Sequence, residues 1–224
     1  MDAPFNQVLI TVDELREHYR QPSRLVQAKK AGGLDGVTTA FIAGSPFVLM
    51  ATSAADGTCD VSPRGGPPGF VRVLDGHRLA LPDLSGNNLL DSLINLTGNG
   101  NVGLLFLIPG RDETLRVDGR AWITVDPGVL ELWDAELARP KTAIGVEVHH
   151  AFIHCAKSFR RGRVWDASSW VELTGAPDAC ELLISHIGLE AEPAEVRASL
   201  EEGYARDLAE EAASQPVRTG GHPR

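Results

Sequence analysis

Thr114-Leu115-Arg116-Val117-Asp118-Gly119-Arg120-Ala121-Trp122-Ile123-Thr124-Val125 alternates between two side-chain classes along its whole length. A period of two is the signature of a strand with one face on a core. Leu115, Val117, Ala121, Ile123 and Val125 share one face, and Arg116, Asp118, Arg120, Trp122 and Thr124 share the other. Gly119 interrupts the row and predicts a bulge or a close backbone approach. The polar face serves a site or meets solvent; the two readings have equal standing. Upstream, Val102 to Ile108 is a near-continuous apolar run, expected as a strand covered on both faces, and Pro109-Gly110 turns the chain between the two.

Further out the pattern stays β-rich. Phe47 to Ser53 and Thr58 to Ser62 flank Asp56-Gly57, and Phe70 to Leu74 and Arg78 to Leu81 flank Asp75-Gly76, both hairpin signals. Leu89, Leu90, Leu93, Ile94 and Leu96 predict a helix over Asn87 to Leu96, stopped at Gly98. Pro127 to Leu137 reads as a short helix and Ala143 to Ala156 as a long strand. Thr11 and Glu14 form a capping box for a first helix. Leu25, Val26, Ala28 and Leu34 give a weaker helical pattern broken at Gly32-Gly33. From Asp178 the chain is helical again, with one stripe at Leu182, Leu183 and Ile187 and another at Val196, Leu200, Tyr204 and Leu208. The expected organisation is an N-terminal helical segment over 1–45 packed on a β domain over 46–170, C-terminal helices over 171–213 and a disordered tail over 214–224. The fold class is mainly β with flanking helices, α+β.

Composition narrows the function. The 224 residues carry a formal charge of −9 and are 43% hydrophobic. That apolar share excludes a disordered chain, and the acidic balance opposes nonspecific nucleic-acid binding, which needs Lys and Arg to displace counterions. Cys59, Cys155 and Cys180 are too few and scattered for a disulfide framework or a zinc set. Asp2, Asp13, Glu14 and Glu17 lie where a secretory signal would be basic or apolar. The longest apolar run falls far short of the ~20 residues that span a bilayer. A cytoplasmic protein without membrane contact is expected.

Four stretches carry candidate chemistry. Gly98-Asn99-Gly100-Asn101-Val102-Gly103 matches G-x-G-x-x-G, but a helix precedes it and a strand follows, the reverse of a dinucleotide fingerprint, so it reads as a turn. Asp60 to Gly69 sets Ser62 and the planar fork of Arg64 among Pro and Gly residues, suited to a phosphate or a polarised carbonyl, although on local sequence alone an ordinary loop with an exposed Arg is the favoured reading. Pro82 to Asn88 leads into a predicted helix whose first N–H groups bind anions, or are simply capped by Ser85 or Asp83. Lys157 to Arg163 holds four bases and no acid, an anomaly in an acidic chain that bound phosphate explains, beside the plainer reading of a solvated charge run. His149, His150 and His154 lack the Asp, Glu or Cys spacing of a familiar metal set, and no metal is expected.

Taken in order, Ala51-Thr52, Asp56-Gly57, Val61-Ser62-Pro63-Arg64-Gly65, Pro82-Asp83, Gly86-Asn87-Asn88, Asp91-Ser92-Leu93, Asn95-Leu96, Val102 to Phe106, Glu113 to Gly119 and His154 to Lys157 with Arg161 and Trp165 resemble the pyridoxamine 5′-phosphate oxidase-like FMN-binding split-barrel proteins. The similarity runs over about residues 40–170 and is strongest to the branch of FMN-dependent enzymes that mostly lack an assigned substrate. It implies a six-stranded split β-barrel and a homodimer with FMN at the interface. By position, Ser62, Pro63 and Arg64 match strand-end flavin contacts. Gly86, Asn87 and Asn88 match the phosphate-binding helix start, and Thr114 a flavin-contacting Gln. Lys157, Arg161 and Trp165 match a late basic motif. Asn87-Asn88 replaces an Arg-Lys pair, and the C-terminal Trp and Arg that hold pyridoxal phosphate are not recognisable. The implied function is flavin-mediated redox of a small molecule, with no dedicated acid–base residue. Rivals are a noncatalytic or stress-related flavin binder, or the same barrel holding a deazaflavin or haem.

Overall fold

The computed structural model describes residues 4–30, 32–172 and 177–213. Its strands are β1 (Phe47–Ser53), β2 (Cys59–Gly65), β3 (Arg72–Asp75), β4 (Arg78–Asp83), β5 (Asn101–Leu107), β6 (Thr114–Thr124) and β7 (Thr142–His154). Its α-helices are α1 (Val12–His18), α2 (Arg24–Ala28), α3 (Gly36–Ala43), α4 (Asp91–Gly98), α5 (Pro127–Leu130), α6 (Lys157–Gly162), α7 (Ala179–Ile187) and α8 (Pro193–Ala213).

All the paired strands are antiparallel and form a seven-stranded sheet in the order β2-β1-β5-β6-β7-β4-β3. The implied barrel had six strands; the seventh, four-residue β3, hangs on the outer edge of β4. The β1–β2 hairpin follows from Asp56-Gly57. Gly57 takes φ +92°, and the Asp56 carboxylate accepts from the Thr58 amide at 2.9 Å. The sheet curls until its β2 side reaches the end of β4: Arg64 Nη1 on β2 lies 2.9 Å from Asp83 Oδ1 on β4. The inward row buries Val48, Met50, Leu79, Leu81, Leu104, Phe106, Leu115, Val117 and Ile144. Trp133 is fully buried beneath it and donates from Nε1 to the Phe70 carbonyl at 2.6 Å. Helix α4 packs against β1, β2 and β6, with Leu93 and Leu96 buried. Its Asn95 Nδ2 donates to Thr52 Oγ1 at 3.1 Å and Asp60 Oδ2 at 2.6 Å.

Gly119 both bulges and approaches. The β6–β7 register shifts between Asp118 and Gly119, leaving His149 as the extra residue of β7. A Cβ at Gly119 would lie 1.9 Å from the Glu147 carbonyl oxygen. Strand β5 departs from expectation: Val102, Leu104 and Phe106 are buried, while Gly103, Leu105 and Leu107 are half-buried. A continuous apolar run leaves open how well its second face is covered.

The helix predicted over 87–96 starts four residues later, at Asp91. Asn88 and Leu90 hold left-handed backbone at φ 58° and 62°, and Asn87 Oδ1 accepts from the Leu89 amide at 3.0 Å. Turn chemistry therefore outcompetes helix there. The helix predicted over 127–137 is four-residue α5 followed by a 3₁₀ turn, Glu131–Trp133. The capping box of Thr11 and Glu14 forms. The weak pattern after it yields only α2, and a second box at Asp35 and Thr38 opens α3. Helices α1 and α2 bury no residue, while α3 buries Ile42. At the other end Leu182, Leu183, Ile187, Tyr204 and Leu208 are exposed, and Cys180 and Val196 are buried. The expected tail over 214–224 lies outside the described residues. No described helix is long and apolar enough to cross a membrane.

Candidate functional site

Where β2 approaches β4, a cavity of about 510 Å³ opens between β2, the loop after β4, the start of α4, residues 138–141 and the end of α8. Residues of β2 alternate in exposure, so Ser62 and Arg64 turn inward beside Met50 and Val48 while Pro63 is exposed on the other side. The Ser62 hydroxyl lies 3.0 Å from the Ser92 hydroxyl of α4, and Arg64 Nε donates to Ser62 Oγ at 3.3 Å. Gly86, Asn87 and Asn88 line the opposite wall. They form a loop ahead of α4 rather than its first turn, which corrects the expectation of a helix start there. Asn87 spends its carbonyl on the Leu89 amide, leaving the side-chain NH₂ to donate, and a Cβ at Gly86 would meet open space.

Charge around the cavity is mixed. Arg64, Arg139 and Lys141 line it, and so do Asp83, Asp91, Asp207, Glu210 and Glu211. Arg64 is engaged by Asp83, the two side chains being 21% and 19% exposed. Arg139 pairs with Asp134 at 2.7 Å and Glu131 at 3.2 Å. The Arg139 hydrogen bond holds the Asp134 carboxyl below the usual carboxylate range. Among the described residues Lys141 is the lining cation with no ion-pair partner. Beside it in sequence and opposite Asp83 in the β4–β7 register, the buried Thr142 hydroxyl has no hydrogen-bond partner.

The remaining expected residues lie elsewhere on the chain. Thr114 is buried at the start of β6 opposite His154. Lys157 and Arg161 are exposed on α6, and Trp165 stacks on Phe159 and donates from Nε1 to the Arg111 carbonyl at 2.9 Å. None of these four lines the cavity, nor does Pro63. The histidines do not converge: His150 Nδ1 lies 2.9 Å from Asp118 Oδ1, while His154 sits near Phe152. Burial, then Lys29 and Arg116, push the pKa of His154 below its ordinary value. No group of three or more His, Cys, Asp or Glu among the described residues could hold a metal.

Sequence reading missed Ser92, Asp83 as the partner of Arg64, and the cations at 139 and 141. It also missed the acids at 207–211, which reach the cavity from more than a hundred residues away. Pro82-Asp83 and Asp91-Ser92-Leu93 entered only as part of the family resemblance without a site role, and no local motif marks the others.

The family model for pyridoxamine 5′-phosphate oxidase matches residues 34–155, over half of the 224-residue chain. The chain belongs to the pyridoxamine 5′-phosphate oxidase family. The match contains the whole of β1 to β7, with Ser62, Arg64 and the 85–88 loop. It excludes α6 and α8. No curated protein matches the chain. Similar solved structures include HupZ of Group A Streptococcus, at 18% identity and TM-score 0.45 over 54% of this chain and 93% of that one. General stress protein 26 of Bacillus anthracis is similar at 16% identity and TM-score 0.38, over 51% and 88%. The FAD binding protein of Mycobacterium smegmatis is similar at 17% identity and TM-score 0.37, over 55% and 97%.

Proposed function

We propose that this family member binds FMN in the cavity between β2 and the 85–88 loop and serves flavin-mediated redox of a small molecule. One observation carries the reading. Two segments singled out separately in the sequence, Ser62 with Arg64 and Gly86 with Asn87 and Asn88, line one cavity inside the family match. Its volume of about 510 Å³ is that of a small-molecule site, typically about 300–1,000 Å³. The donors suit a phosphorylated polar ligand: backbone and amide N–H groups of the loop, the Ser62 and Ser92 hydroxyls, and Lys141 as a compact cation. Bound flavin would supply the electron transfer itself. The chain's part is to hold and orient. Lys141 and the loop donors take the phosphate end, and Ser62, fixed between Ser92 and Arg64, offers a hydroxyl that can donate or accept at the ligand's edge.

Thr114, Lys157, Arg161 and Trp165 do not reach this cavity within one chain. In a homodimer they would meet the partner's ligand, which gives the exposed bases of α6 an anion and covers the half-buried face of β5.

The test is to purify the full chain, record its absorption spectrum and titrate FMN by fluorescence quenching. A yellow preparation that releases FMN on denaturation supports the reading. A colourless one that also fails to bind added FMN overturns it. Arg64→Glu and Lys141→Glu should each weaken FMN at least about tenfold, the scale of one charge-assisted contact reversed. Rapid-mixing reduction by NADH or NADPH distinguishes an enzyme from a flavin carrier.

A further inference from the structure

The last long helix is an unusual neighbour for a phosphate site. Residues 189–213 hold eight acids and two bases. Asp207, Glu210 and Glu211 of α8, spaced to share one helix face, form part of the cavity wall. Glu211 goes further: its Oε1 accepts from the Ser85 backbone N–H at 2.9 Å. That amide belongs to the loop assigned above to the ligand's phosphate. A carboxylate there presents to the amide what a phosphate oxygen would present, an anionic acceptor. With α8 in place, carboxylates outnumber cations around the cavity by five to three. With α8 withdrawn, Arg64, Arg139 and Lys141 outnumber the two remaining acids.

The helix is also built to move at modest cost. Among the described residues of α8 the buried one is Val196, near the N-terminal end, and Tyr204 and Leu208 nearer the cavity are exposed. Arg197 hydrogen-bonds Asp178, the cap of α7, and so ties that same N-terminal end down. Near the cavity end Glu211 meets the β domain through a polar contact, and contacts of that kind open far more readily than a packed core.

We infer that α8 is an intramolecular competitor, with Glu211 occupying the Ser85 amide until the ligand's phosphate displaces it. This rests on the FMN reading, which places the phosphate at that loop. Binding is then coupled to release of the C-terminal helix, and the chain's apparent affinity is lowered by the population of the closed state.

The experiment compares FMN affinity of the full-length wild type, Glu211→Ala and Glu211→Gln by fluorescence quenching. Competition predicts that Glu211→Ala binds about tenfold tighter, the scale of one charge-assisted hydrogen bond no longer surrendered on binding. Glu211→Gln, which keeps a weaker acceptor, should fall between. If Glu211 instead braces the loop for its ligand, both variants bind more weakly; that result, or no change, overturns the inference. If neither wild type nor variants bind FMN, the FMN reading fails, and inorganic phosphate decides the competition. Phosphate should then perturb the 85–88 amide resonances at lower concentration in Glu211→Ala than in wild type, and an equal response refutes it.

Discussion

Replacing Gly119 by Ala should be among the most damaging single-methyl additions to this chain. An ideal Cβ at that position lies 1.9 Å from the Glu147 carbonyl oxygen, 2.9 Å from its carbon and 3.2 Å from the Val148 Cα. All three are backbone atoms of β7, so no side-chain rotation relieves the overlap. Strand β7 must withdraw from β6 at the bulge, in the middle of the longest ladder of the sheet. Overpacking of a filled site costs about 1–3 kcal/mol, and each ladder hydrogen bond lost adds about 1, so a loss of roughly 3–5 kcal/mol follows. Against a total stability of about 5–15 kcal/mol this is a large fraction. At about 2–4 °C per kcal/mol for a chain of this size, the melting midpoint should fall by about 6–20 °C. Gly57→Ala is the control. Gly57 has a left-handed φ of +92° but open space around its Cβ, so it should lose only the backbone term of about 1–2 kcal/mol. Urea unfolding followed by circular dichroism measures both. A Gly119→Ala variant no less stable than Gly57→Ala would refute the close-approach reasoning.

Asp83→Asn removes the charge that engages Arg64 while keeping one acceptor. It should cost about 1–2 kcal/mol in urea unfolding, because a half-buried guanidinium loses its counter-ion, and tighten FMN a fewfold; a weaker FMN titration would mean that Asp83 positions Arg64 for the ligand. His154 should make stability depend on pH. Its folded pKa is lowered by burial and by Lys29 and Arg116, so the unfolded chain takes up the proton first. The contribution is intact above the unfolded value of about 6.5 and is lost as pH falls below it toward the folded pKa. His154→Gln should flatten the slope of unfolding free energy against pH in that window, and superimposable wild-type and variant slopes would contradict the assignment.

The β domain was legible because its signals are local and agree with one another. The alternation over 114–125 became β6, Phe47–Ser53 became β1 at those bounds, and Asp56-Gly57 made its hairpin. The start of α4 was not legible. Apolar spacing from Leu89 onward resembles helix, while the left-handed Asn88 and Leu90 depend on how the loop is held across the cavity. Half of the candidate site could be read for the same local reason: Ser62 and Arg64 come from one strand, and Gly86 to Asn88 from one loop. Lys141 and Glu211 could not, because only the closure of the sheet and the return of α8 bring them to that loop. Parity keeps Pro63 out of the cavity lining. Two residues of β2 that face the cavity leave the one between them outside.

That outward Pro63 has a consequence of its own. Strand β2 is one of the two borders of the sheet, and an unpaired border with a full row of amide donors is a template on which other chains can polymerise. Proline has no amide hydrogen to offer, so the row is broken at its middle. Pro63 should therefore hinder this border from recruiting foreign strands, and Pro63→Val would be tolerated by the fold yet shorten the soluble lifetime of a concentrated stock.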